Sequence, residues 1–393
     1  MFHKMPFLLV VILIAVKLGG DFIPPFYQSL LYGLSLSIKS GIVFFLPFIV
    51  FSLLFKTTVS FSNRATKMML FILIAICCSN FISTLISYSV GRFAYHSDLM
   101  LHLPEASEAL LPIGELSFPG WISNAQGLFL GVILGIIMGK FYLPLAQKIS
   151  FQLEKMTQML LKGILFTIPI FITGFIIKMN HDQLITYIAN SYAWIFALIA
   201  VSVGAYIIFV YFIANQFQIK KTFNSIKNMM PAAIAGFGSM SSAAAMPLTI
   251  LGAEKNSENP DIARSVVPTT VNIHLIGDCF AIPIFAFAVL KSFGVEEPSF
   301  LNYLIFAGYF VLAKFSVAAV PGGGILVMLP ILETYLGFNS QMLSLITALY
   351  ILFDPVITCA NILGNGGFAK GIERLANQKK EAISLKEEAF YEL

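Results

Sequence analysis

Two apolar runs in the C-terminal half of this chain are each broken in the middle. The run 222–249 is interrupted by Gly236, Gly238, Ser239, Ser241, Ser242 and Pro247, and the run 301–337 by Val320, Pro321, Gly322, Gly323 and Gly324. Neither half of either run reaches the about 20 residues that a helix needs to cross a membrane. Lysines flank the first run on both sides; Glu296, Glu297 and Glu333 flank the second. Each run is therefore expected to enter and leave on one side, as a re-entrant hairpin. Non-helical backbone at membrane depth is tolerated only where protein covers it or a cavity receives it. A spanning helix is expected after each hairpin, over 265–293 and 343–368. A hairpin plus a helix thus occurs twice, from opposite sides. Paired broken segments of this kind point to a binding site near the midplane.

Composition supports a membrane setting. Of 393 residues, 58% are hydrophobic and 11% are charged, against about a quarter charged in a soluble chain. The expected fold class is an all-α integral membrane protein, with eight transmembrane helices, two re-entrant helical hairpins and inverted repeats. The apolar stretch 7–16 reads as part of a retained first helix. Earlier spans are expected over 5–23, 30–55, 66–95, from 125, over 145–177 and over 184–217. Lys56, Arg64, Lys67, Lys140, Lys148, Lys155, Lys220, Lys221 and Lys227 fall on one side of these spans. The acidic loop 96–124 and Asp182 fall on the other. By the positive-inside rule both termini are cytoplasmic. The net charge of +4 reads as orientation, with no nucleic acid among the partners. Cys77, Cys78, Cys279 and Cys359 lack ligand spacing, so neither a metal site nor a disulfide framework is expected.

Gly127, Gly131, Gly135 and Gly139 form a four-residue ladder that permits close helix packing. In the last span, Asp354, Thr358, Asn361 and Asn365 recur at i, i+4, i+7 and i+11, one face of a helix. An intramembrane carboxylate is costly without a partner or ligand. That face is read as one wall of a substrate site, although Thr and Asn also join helices by hydrogen bonds.

In this arrangement the chain resembles the dicarboxylate/amino acid:cation symporter family over nearly its whole length. The resemblance implies a homotrimer, a scaffold and a core that carries substrate by an elevator motion. The expected division is 1–124 for the first scaffold helices and outer loop, 125–219 for the remaining scaffold helices, 220–370 for the transport core and 371–393 for a cytoplasmic tail. The serine-rich tip is matched by Ser239, Ser241, Ser242 and Pro247, which would offer backbone N–H groups to a carboxylate. The glycine-rich tip is matched by Val320 to Gly324; its glycines allow close approach and gating.

The family's pattern in the last helix implies that Asp354 holds a substrate ammonium and Asn361 its α-carboxylate. Ile357 stands where an arginine receives an acidic side chain, and Asn365 where an aspartate binds sodium. With Gly277 as anchor, His274 and Ile276 replace an asparagine and a second sodium-binding aspartate. Ala75 and Ile76 stand where a Thr-Ser pair is expected. Asn361 and Asn365 remain as residual cation-site positions. His274 and Asp278, one helical turn apart, are the proton candidates. Lys314 is a further buried charge that either snorkels or pairs with a carboxylate.

The resulting reading is a proton-coupled elevator symporter for a small neutral or zwitterionic amino acid. No cofactor is expected, a proton gradient is the expected driving force and a sodium gradient its rival. The substrate-site candidates are Ser239, Ser241, Ser242, Gly322, Gly323, Gly324, Asp354, Ile357, Thr358 and Asn361. The alternative is a sodium- or proton-coupled symporter for an acidic amino acid or dicarboxylate, with Lys314 supplying the positive charge. A second alternative is an uncoupled pore. An enzyme fits poorly, since no nucleophile stands beside His274 and Asp278. The expected location is a bacterial-type inner or plasma membrane.

Overall fold

A computed structural model describes residues 5–60, 66–97, 110–122, 124–182, 192–315, 317 and 322–391. The described residues are almost wholly helical, without a strand. The helices are α1 (Met5–Gly19), α2 (Pro25–Ser60), α3 (Thr66–His96), α4 (Asn124–Phe141), α5 (Leu143–His181), α6 (Ala193–Ala214), α7 (Ile219–Ser239), α8 (Ser242–Asn256), α9 (Pro260–Thr270), α10 (Ile276–Ser292), α11 (Phe300–Lys314), α12 (Gly323–Leu336) and α13 (Ser340–Tyr391). Among the described residues, Leu70–His96, Ala193–Ala214 and Ser340–Asn377 are long and apolar enough to cross a membrane.

Both expected hairpins are present. In the first, α7 ends at Met240, whose φ of 50° places it in the left-handed region. Ser241 then caps α8, its side chain accepting from Ala244 N at 3.2 Å. Capping of this kind satisfies a donor that the first turn leaves open. In the second, Ser299 caps α11 and Gly322, with φ of 70°, opens α12. Val320 and Pro321 lie outside the described residues.

Helix α10 is the hub. Every residue from Ile276 to Ser292 except Lys291 is buried, as expected of a helix that is apolar all round. It is packed by α3, α6 and α13, and α3 also packs against α11. Two groups of helices follow from these contacts. Helices α3 and α6 stand with the hairpins, while α2 forms a separate group with α4 and α5, joined by α1 through α5. The reason is chemical. Asn80, Ser83, Thr84 and Ser87 make a buried polar stripe on α3 that needs polar partners, and α10 and α11 supply them. Ser87 Oγ, for example, lies 3.1 Å from Tyr303 Oη.

The expected span over 265–293 is broken. Helix α9 stops at Thr270 and α10 begins at Ile276. Asn80 makes the break tolerable: its Nδ2 donates to Ile273 O at 2.7 Å and its Oδ1 accepts from Leu275 N at 3.2 Å. One amide thereby satisfies both strands of an open turn. Helix α13 instead runs without interruption into the expected tail. Ser257 Oγ and Asn259 N both donate to Glu373 Oε1, at 2.5 and 2.7 Å, tying the base of the first hairpin to α13.

The glycine ladder packs α4 onto α2. A Cβ at Gly127 would lie 2.6 Å from Pro47 O, and one at Gly131 2.7 Å from Phe51 O. Gly131→Leu is therefore expected to destabilise the protein by about 1–3 kcal/mol, the usual range for overpacking. Thermal unfolding of the purified variant checks this, and an unchanged midpoint would show that α4 is free to move away from α2.

Candidate functional site

The polar face of α13 is buried throughout. Asp354, Thr358, Asn361 and Asn365 are 3%, 4%, 5% and 0% exposed. Burial of four polar side chains demands partners, and these come from three directions.

The second hairpin supplies the first set. Gly322 N donates to Asp354 Oδ2 at 2.8 Å, and Thr358 Oγ1 donates to Asp354 Oδ1 at 3.1 Å. The tip therefore closes directly on Asp354, through the backbone group that a residue of positive φ turns inward. Gly324 also approaches closely: a Cβ there would collide with Asp278 Oδ1 and Tyr350 Oη. The first hairpin meets the same helix, since a Cβ at Gly236 would strike Ile362 and lie 3.3 Å from Thr358 Cγ2. Ser239 and Ser242 are buried, and Ser239 Oγ donates to Ser241 O at 3.3 Å. The two tips thus converge on one stretch of α13.

Helix α10 supplies the second set. Asn361 Oδ1 accepts from Gly277 N at 2.8 Å, and Asn361 Nδ2 donates to Asp278 Oδ2 at 2.7 Å. In this conformation Asn361 cross-links two helices, rather than standing open for a substrate carboxylate. Tyr350 Oη donates to Asp278 Oδ1 at 2.8 Å, and Lys314 Nζ lies 3.3 Å from the same oxygen. The lysine geometry is that of an ion pair without hydrogen-bond alignment, so Nζ has no hydrogen-bond partner among the described residues. The Phe310 ring is also close, with its centroid at 4.4 Å. Of the two readings open for Lys314, the structure takes the carboxylate partner; at 0% exposure the side chain does not snorkel.

The open turn before α10 supplies the third set. His274 Nδ1 and Asn365 Oδ1 are 3.0 Å apart, and His274 Nε2 lies 2.9 Å from Ser79 Oγ. The expected His274–Asp278 pair on one helical face is not realised. His274 precedes the first turn of α10, so the two residues point into separate networks. Ile276 is fully buried and packs where a Cβ at Gly364 would lie 3.0 Å from its Cδ1. Ile357 is also buried, at 1% exposure.

The expected sodium positions therefore hold an aliphatic side chain, an imidazole and an amide already hydrogen-bonded to that imidazole. A hard cation prefers carboxylate and carbonyl oxygens, so these residues do not fit sodium. Sequence reasoning missed Tyr350, Ser79 and Asn80. Tyr350 lies one turn before Asp354 on the same face, and Ser79 and Asn80 open the polar stripe of α3, so the helical period could have found all three.

The profile of the sodium:dicarboxylate symporter family matches residues 125–375. The chain belongs to the sodium:dicarboxylate symporter family. This bears out the resemblance read from the hairpins and the polar helix, and it makes the chain an integral membrane protein. Relatives of this symporter-family chain include excitatory amino acid transporter 3 of Bos taurus, 25% identical over 67% of this chain and 51% of the relative. Excitatory amino acid transporter 2 of Homo sapiens is 25% identical over 46% of this chain and 31% of the relative. An excitatory amino acid transporter of Onchocerca volvulus is 29% identical over 37% of this chain and 30% of the relative. The chain spans about a third of the length of the last two.

Proposed function

We propose that this protein is a cation-coupled secondary transporter for a small acidic metabolite, an acidic amino acid or a dicarboxylate. The observation that carries this reading is Lys314: a fully buried ammonium beside the converging tips, ion-paired with Asp278 yet without a hydrogen-bond partner among the described residues. A buried ammonium has three donors to satisfy, and a substrate carboxylate is the natural acceptor. Lys314 then does the work that Ile357 cannot. Asp354 holds the substrate ammonium when there is one, after the Gly322 tip withdraws from it. The family's name and the names of the relatives support the same class. The neutral-substrate reading of the sequence ranks below its alternative on these grounds.

The core of hairpins, α3, α6, α10 and α13 moves against the α2, α4 and α5 scaffold. The trimer, the cytoplasmic termini, the inner or plasma membrane and the coupling ion belong to this proposal too. His274 and Asp278 remain the proton candidates, now as two separate positions. A neutral amino acid is a second reading, favoured by the buried Ile357 and by Asp278 balancing the charge of Lys314.

A ligand that binds only the native fold raises apparent stability. Thermal shifts are expected with L-aspartate, L-glutamate or succinate, and not with L-alanine or L-serine. Removing one partner of a buried charge pair costs about 2–5 kcal/mol. Asp354→Asn should therefore weaken the amino-acid response by well over tenfold and spare the response to succinate, which has no ammonium. A wild-type response to alanine and serine alone would establish the second reading instead.

A further inference from the structure

Three sources of negative potential converge at one point beside the second tip. Asp278 contributes its carboxylate, and Oδ1 is the atom 3.3 Å from Lys314 Nζ. Phe310 contributes the face of its ring, with the centroid 4.4 Å from the ammonium. Helix α11 contributes its C-terminal end, because Lys314 is its last residue. Helix ends carry partial charge from their unpaired carbonyl groups, and half-helix C-termini suit small cations. The point is also sealed: Lys314 is 0% and Asp278 1% exposed. Tyr350 and Asn361 fix the carboxylate from the other side, donating at 2.8 and 2.7 Å.

An ammonium held by point charge, without hydrogen-bond alignment, behaves there as a tethered monovalent cation. We propose that Asp278 is the carboxylate of a monovalent-cation site and that the Lys314 ammonium stands in it permanently. The chain thereby supplies with its own side chain a positive charge that a dissolved ion would otherwise supply. The arrangement explains how Asp278 persists in a sealed core while the expected sodium positions carry no carboxylate. It also assigns Lys314 a second task, beyond receiving a substrate carboxylate: it closes this site to sodium.

The test needs no substrate, so it stands apart from the substrate reading. Full-length protein in detergent is heated in sodium, lithium, potassium or choline chloride at equal ionic strength. Wild type, Lys314→Met and the double variant Lys314→Met/Asp278→Asn are compared. Lys314→Met should gain a saturable upward shift in sodium or lithium relative to choline, larger than any shown by wild type. The double variant has lost the carboxylate and should lose that gain. A Lys314→Met protein no more cation-sensitive than wild type would overturn the proposal. So would a single variant that fails to fold in every salt while the double variant folds, because a free cation would then have failed to replace the tethered one. Equal gain by both variants would also overturn it, by removing Asp278 from the site.

Discussion

Uptake of aspartate and succinate by Lys314→Met protein is expected to fall roughly a hundredfold or more. Removing one partner of a buried ion pair costs about 3–5 kcal/mol, and each 1.4 kcal/mol is about tenfold in an equilibrium. Part of that cost falls on the fold itself, because Asp278 at 1% exposure is left without its cationic neighbour. The double variant Lys314→Met/Asp278→Asn removes the cost to the fold. Replacing both members of a buried pair is often neutral for stability. It should therefore unfold near the wild-type temperature and still fail to accumulate acidic substrates. Normal aspartate uptake by the double variant would make Lys314 a structural partner of Asp278 and nothing more.

Gly324→Val should abolish transport while leaving a folded, assembled protein. A Cβ at this position meets Asp278 Oδ1 and Tyr350 Oη, which are hydrogen-bonded to each other, while Asn361 holds the same carboxylate through Oδ2. Neither atom is the free end of a flexible side chain, so α12 cannot seat as it does here. The Gly322 N–H then cannot reach Asp354, and the tip stays open. An open gate lets substrate bind without being sealed from water, so accumulation is lost while binding persists. Uptake in proteoliposomes and elution on size exclusion report the two halves of this expectation. Wild-type uptake by a well-expressed Gly324→Val protein would mean that closure on Asp354 is not part of the cycle.

The hairpins and the polar face of α13 were legible in the sequence because each rests on a local rule. Clustered glycine, serine and proline mark a break in an apolar run, and a period of three and four residues marks a helix face whatever it packs against. The glycine ladder was legible in the same way, and its partner proved to be α2. Other features depended on contacts between distant residues. The break before α10 is satisfied by Asn80, nearly two hundred positions away, a contact that the run 265–293 cannot show by itself. The separation of His274 from Asp278 follows from that break. The membership of α3 and α6 in the hairpin group depends on which buried polar groups find each other. The pairing of Lys314 with Asp278 was one of two outcomes that the sequence left open.

Transport of an acidic substrate against its gradient is the activity to measure. Its most direct measurement is uptake of labelled L-aspartate into proteoliposomes carrying this protein alone, under an imposed inward cation gradient. Saturable accumulation above the outside concentration, suppressed by excess succinate and unaffected by excess alanine, is expected. Uptake suppressed by alanine and not by succinate, or a flux that neither saturates nor accumulates, would contradict it.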